Sequence, residues 1–227
     1  MALRNQEDLK SFLWEIDMKN NSFEKRFTDV LDDDETIIWS DGPEFLPFFA
    51  SGFTFLAFGL IWGSIDYFFF FSGGDSADTK PIASPSGMLV VLFILLHSSP
   101  FWLSVLHQIR LLLVFKNTVF ALTDKRVIVR SGFMGIDYRS IDHTSIEDVT
   151  VDVGPLESLF KVGTITVDTG KKGSDGEAIY DKIRSVHHPY KVFKKIKKVS
   201  LDVKTDMYYP NAFRPSENKG YKTKYTK

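Results

Sequence analysis

Hydrophobic positions follow three regimes along the chain. From residue 1 to 44 they recur at helical spacing in polar sequence. Leu9, Phe12, Leu13 and Ile16 sit at i, i+3, i+4 and i+7. Phe23, Phe27, Val30 and Leu31 continue after Asn20-Asn21-Ser22, a break with capping residues. The spacing predicts two short amphipathic helices packed on a neighbouring domain. The second regime is nearly all apolar. Phe45 to Phe71 is 27 residues with one charge, Asp66, and Met88 to about Val114 repeats the pattern. About 20 such residues cover the hydrocarbon of a bilayer. Two transmembrane helices are therefore predicted over 45–115, joined by the polar loop Ser72 to Gly87.

The third regime has period two. Phe120 and Leu122 alternate with Val119 and Ala121; Thr123-Asp124-Lys125 forms a turn; Val127 and Val129 alternate with Arg126, Ile128 and Arg130 up to Gly132. Further strands are predicted at Ile136 to Ile141, Ile146 to Val153, Gly163 to Thr169 and Ala178 to Ser185. Val149, Val151 and Val153 face inward. Gly154 to Phe160 and Gly170 to Gly176 are connections. Short strands with Gly and Pro turns imply an antiparallel barrel or sandwich. Tyr190 to Asp202 reads as a helix with an apolar stripe of Val192, Phe193, Ile196 and Val199 among lysines. The expected divisions are 1–44, 45–115, a β domain with its helix over 116–205, and a disordered basic tail over 206–227.

Charge adds an orientation. Residues 1–44 hold 12 acidic and 5 basic groups, and residues 110–227 hold 22 basic and 14 acidic. Basic residues flank the two apolar runs on their outer sides. By the positive-inside rule this predicts a multi-pass inner-membrane protein with both termini cytoplasmic. The lipid bilayer and its anionic headgroups are then partners, each nearby Lys or Arg contributing roughly 1 kcal/mol. No nucleic-acid partner is expected.

Candidate chemistry is sparse. The chain has no cysteine, which excludes disulfides, thiolate nucleophiles and Cys-type zinc sites. Asp32-Asp33-Asp34-Glu35 lacks the alternating spacing of a calcium loop and reads as a solvated acidic run. Trp39 suits an interfacial anchor or a short strand. Asp66 is placed at the outer interface. His97 is expected as a neutral imidazole bonded to the other apolar helix, for instance to Ser51 or Thr54. Pro100 should kink its helix, with Ser98 or Ser99 re-bonding freed carbonyls. Gly52, Gly59 and Gly63 offer a close-packing face between the two helices. Thr169-Gly170-Lys171-Lys172-Gly173 has no phosphate-loop spacing. Adjacent His187 and His188 point apart, and Asp142, His143 and Ser145 crowd one turn where a triad would need convergence. No catalytic residue, metal or cofactor is expected.

Several strings taken together resemble a known family. They are Leu122-Thr123-Asp124-Lys125-Arg126-Val127, then Gly132, Ile141, Ile146-x-x-Val149, Gly163-Thr164-Ile165-Thr166-Val167 and Val186-x-x-Pro189 before the amphipathic helix. With the lead-in Glu35 to Trp39, they resemble the membrane-anchored bacterial PH-domain family. The resemblance implies a transmembrane helix pair followed by a PH-like barrel capped by a C-terminal helix, with no established enzymatic chemistry. In phosphoinositide-binding PH domains, basic residues of the first hairpin hold the headgroup. That makes Lys125, Arg126 and Arg130 candidate lipid-binding residues, with Lys194, Lys195 and Lys198 of the helix as additions; the alternative is a solvated strand face. The expected function is a non-enzymatic inner-membrane adaptor that binds protein partners or itself. The alternatives are an anionic-lipid sensor, or an accessory subunit of a membrane enzyme or transporter with Asp66, His97 and Pro100 at an intramembrane site.

Overall fold

A computed structural model describes residues 22–71, 85–172 and 178–208. The expected helix at Leu9 to Ile16, most of the loop after Phe71, the tip of the Gly170 to Gly176 connection and nearly all of the tail lie outside these residues. The chain divides into two compact units: the segment up to Pro47 together with Asn117 onward, and Phe48–Lys116.

The second unit is helical. Helix α1 (Phe45–Ala50) leads into it, followed by α2 (Phe53–Phe71), α3 (Pro85–His97) and α4 (Ser99–Asn117). The two transmembrane helices expected here, and the multi-pass inner-membrane placement built on them, are corrected. Among the described residues no single helix is long and apolar enough to cross a membrane. The sequence reading counted each apolar run as one helix, and both runs are interrupted. In the first, the Ser51 and Gly52 amides reach only three residues back, to the Phe48 and Phe49 carbonyls at 3.4 and 3.3 Å. The Gly52 carbonyl then starts α2 by accepting from Leu56 N at 3.0 Å. In the second, α3 and α4 meet at a 48° bend and have the length and composition of a span only when counted together.

Pro100 causes that bend, because it has no amide hydrogen to donate four residues back. The next amide, Phe101 N, turns to Ser98 O at 3.1 Å. The His97 carbonyl left over is taken by Trp62 Nε1 at 2.8 Å, and Ser98 Oγ donates to Leu95 O at 3.4 Å. The glycine face acts as expected in pairing helices. A side chain at Gly52 would meet Gln108 and Leu111, one at Gly59 would meet Ser104, and one at Gly63 would meet Phe101. Gly52 and the glycines of α2 thus let this segment approach α4 closely.

The first unit is built on two antiparallel sheets. One has the order β1 (Ile37–Asp41), β2 (Val119–Thr123), β3 (Arg126–Ser131), β4 (Asp137–Asp142). The other runs β5 (Asp148–Asp152), β6 (Val162–Lys172), β7 (Ala178–His187). Short helical turns lie at His143–Ser145 and at α5 (Pro155–Leu159), and α6 (Pro189–Tyr208) closes the unit. Trp39 is in a strand, its Cα facing Leu122.

Period two decides what each face meets. Phe120, Leu122, Val127 and Val129 point into the main core with Ile165, Val167, Ile183, and Val192, Ile196 and Val199 of α6. Val119, Ala121 and Ile128 point the other way and are covered by Phe23, Phe27, Val30, Leu31 and Ile37. The N-terminal segment therefore packs on the β sheet, as its apolar spacing implied. It does so through turns more than a helix: Arg26, Phe27 and Val30 donate to carbonyls three residues back. Phe27 is fully buried. Burying such a side chain contributes roughly 2 kcal/mol.

Candidate functional site

The β2–β3 hairpin is where sequence reasoning placed lipid-binding residues, and the structure shows it already engaged. Thr123 Oγ1 accepts the amides of Lys125 (3.2 Å) and Arg126 (2.9 Å), which tightens the turn. Lys125 Nζ pairs with Asp32 at 3.0 Å and with Asp34. Arg126 grips Glu35 with two parallel bonds, Nε to Oε1 at 2.9 Å and Nη2 to Oε2 at 2.6 Å. Its Nη2 also donates to Val30 O at 2.9 Å. The paired fork fits the guanidinium geometry.

The acidic run expected to be solvated is thus docked on the basic turn. Asp32 and Asp34 stay about half exposed, but the Glu35 side chain is fully buried. Burial pushes the Glu35 carboxyl upward. The Arg126 guanidinium, the Thr123 hydroxyl and the Asp32 amide outweigh it and hold the group below the usual glutamate value. Hydrogen bonds from Asp34 and Asp32 hold the Lys125 ammonium above its ordinary value. About ninety positions separate these partners, so no local pattern announces them.

Arg130, two pleat repeats beyond Arg126 on the same strand, is buried. Its Nη1 donates to Asn117 O at 2.9 Å and its Nε to the Tyr138 hydroxyl at 3.3 Å, with the guanidinium 6.0 Å from the Tyr138 ring centre. The Tyr138 hydroxyl donates to Arg26 O at 2.8 Å. Lys194, Lys195 and Lys198 lie on the exposed face of α6. The structure therefore brings Lys125 and Arg126 together around three carboxylates, buries Arg130, and leaves the helix lysines exposed.

The residue types of a triad do not converge. His143 has no solvent exposure. Its Nε2 donates to the Thr123 carbonyl at 2.9 Å, so Nδ1 accepts from Ser200 Oγ at 3.1 Å. Burial holds this imidazole below its ordinary pKa. His187 Nε2 faces Glu44 Oε2 at 3.1 Å, while the His188 carbonyl accepts amides of the first turn of α6. Among the described residues no three His, Asp or Glu side chains group as a metal site.

Sequence reasoning missed two features. The first is the β3–β4 turn, Gly132-Phe133-Met134-Gly135-Ile136. Gly132 has φ 148°, and the Gly135 carbonyl occupies the place a side chain would need. This closure throws the apolar residues outward: Met134 is 88 % and Ile136 52 % exposed. A run of apolar residues between two glycines was the available signal. The second is a pair in the helical unit. His97 Nδ1 lies 2.8 Å from Asp66 Oδ1. Asp66 is buried, and it is the partner that His97 meets on the other apolar helix, while the Ser51 hydroxyl donates to Phe48 O. Trp62 and Phe93 flank the imidazole at 5.3 and 5.4 Å, with tilts of 34° and 33°.

The family described as "Bacterial PH domain" matches residues 52–200. No curated protein matches the chain. Among solved structures it is similar to a DUF1696 family protein with a pleckstrin-homology domain from Shewanella loihica PV-4. That likeness has 15 % identity over 37 % of this chain and 70 % of the other, with a TM-score of 0.29.

Proposed function

The chain belongs to the bacterial PH domain family, and we propose that its β unit is a non-enzymatic module for protein–protein contact, self-association included. One observation carries this reading: an apolar turn stands exposed beside an open sheet edge. Among the described residues β4 pairs only with β3, and all of its residues but Ile141 are exposed. An unpaired edge presents a row of amides and carbonyls that a second strand can complete. Phe133, Met134 and Ile136 at its start supply the apolar anchor. The engaged hairpin supports the same choice, since Lys125 and Arg126 already hold carboxylates where a headgroup would sit.

The test is the assembly state of the full chain by sedimentation at rising concentration. Association is expected, and Met134→Asp with Ile136→Asp should return the chain to monomer. A wild-type chain that stays monomeric throughout, or a variant that associates unchanged, removes the self-association reading. A second reading has its own support in the exposed Lys194, Lys195 and Lys198, which suit an anionic lipid surface. Equal binding of the full chain to neutral and anionic vesicles at low salt eliminates it.

A further inference from the structure

The helical unit holds a buried carboxylate that is only half satisfied. Asp66 is 6 % exposed. Its Oδ1 receives His97 Nδ1, but Oδ2 is buried with no hydrogen-bond partner among the described residues. An ionised oxygen removed from water without a donor is costly. The single hydrogen on His97 Nδ1 serves Oδ1, and the Trp62 and Phe93 rings pack against the imidazole that carries it. Asp66 also lines two recesses. One, of about 560 Å³, has walls that include Leu60, Leu95 and Trp102. The other, of about 400 Å³, is lined by Trp62, Ile65, Phe69 and His97. These sizes lie within the range of small-molecule sites, and a few polar groups in a mostly apolar wall, here Asp66 with Ser64, Tyr67 and Ser98 in the first recess, are how such sites orient a ligand.

We propose that this groove binds an amphiphile with a primary ammonium head, the head donating to Asp66 Oδ2 and the tail lying against the apolar walls. Charge decides the head. Asp66 is the one acidic residue lining the two recesses, and no Lys or Arg lines either among the described residues. The permanent cation of α4 that comes next, Arg110, is nine residues beyond Phe101 on the same helix, about 13 Å along its axis. A hydroxyl would satisfy the hydrogen bond and leave the charge. A quaternary ammonium would balance the charge and leave the oxygen without a donor. A primary ammonium does both.

The test uses the purified full chain titrated with decylamine, decanol, decanoate and decyltrimethylammonium, read by calorimetry and by tryptophan emission, since Trp62 and Trp102 line the groove. Decylamine is expected to bind about tenfold or more tighter than the others, the range of a charge-assisted hydrogen bond. Asp66→Asn should erase that preference while leaving weak binding of the chain. Ser64→Phe fills the first recess from an exposed position without touching Asp66, and should weaken all four probes together. It keeps the test alive if the Asp66 variant fails to fold. Equal binding of the four probes, a preference for decanol, or decyltrimethylammonium binding as well as decylamine would each overturn the proposal, as would a Ser64→Phe chain that binds decylamine unchanged.

Discussion

In the β unit the buried carboxylate of Glu35 is bound on both oxygens, by Arg126, Thr123 and the Asp32 amide. In the helical unit, among the described residues, the buried carboxylate of Asp66 is bound on one, and the nearly buried amide of Gln108 has no partner on either atom. Both units bury a carboxylate, yet only that of Glu35 has donors on both oxygens among the described residues. The completed network holds the N-terminal segment on the hairpin and is structural. The incomplete one marks where a further donor is wanted.

The comparison breaks most visibly at Glu35. Replacing it by Ala strands the Arg126 guanidinium and frees the acidic segment. The expected loss is about 2–3 kcal/mol, less than for a wholly buried pair because Arg126 keeps some solvent. Urea unfolding of the full chain measures it, and a loss near zero would mean the pair does not hold the segment. Gln108→Met tests the opposite side. Removing an unpaired buried amide while keeping its shape should raise stability by about 1 kcal/mol. A destabilisation as large as that of the Glu35 variant would show that the amide does have a partner and would erase the contrast.

A pH series gives the smallest and most specific effect. His143 is buried neutral with its pKa below the ordinary histidine value. The unfolded chain binds a proton there before the folded chain does, so stability is full above the unfolded pKa of about 6.5 and falls as pH drops below it. Glu35, also depressed, contributes in a lower window: its share is full above about 4.5 and is lost as pH falls through its folded pKa. Melting curves between pH 7 and pH 5 should show the first loss alone, and His143→Gln should flatten it. A flat wild-type profile over that interval contradicts a buried neutral imidazole.

Much of the β unit was legible because period-two alternation is a local signal. Val149 facing inward, the turn at Thr123-Asp124-Lys125 and the stripe of Val192, Ile196 and Val199 all follow from neighbours a few residues apart, and the structure keeps them. Apolarity was legible in the helical unit, but continuity was not. The Pro100 kink was legible, because a missing donor is a property of one residue, but hydropathy counts residues and does not see that Ser51-Gly52 turns the chain or that the Pro100 bend reaches 48°. The site residues divide in the same way. Lys125, Arg126 and Arg130 were identifiable as cations, but their partners were not, since ion pairs across ninety positions leave no mark on either segment.

The order of apolar and polar residues alone determined that one part of this chain is an antiparallel β domain with a closing helix and another part is helical and greasy, because side-chain periodicity and burial are set over short stretches. Only the tertiary structure decided that Glu35 caps the basic hairpin, that Asp66 meets His97 with an oxygen to spare, and that Met134 stands in solvent. Those outcomes depend on which distant groups arrive at one place, and desolvated charges take their properties from whatever surrounds them once the chain has folded.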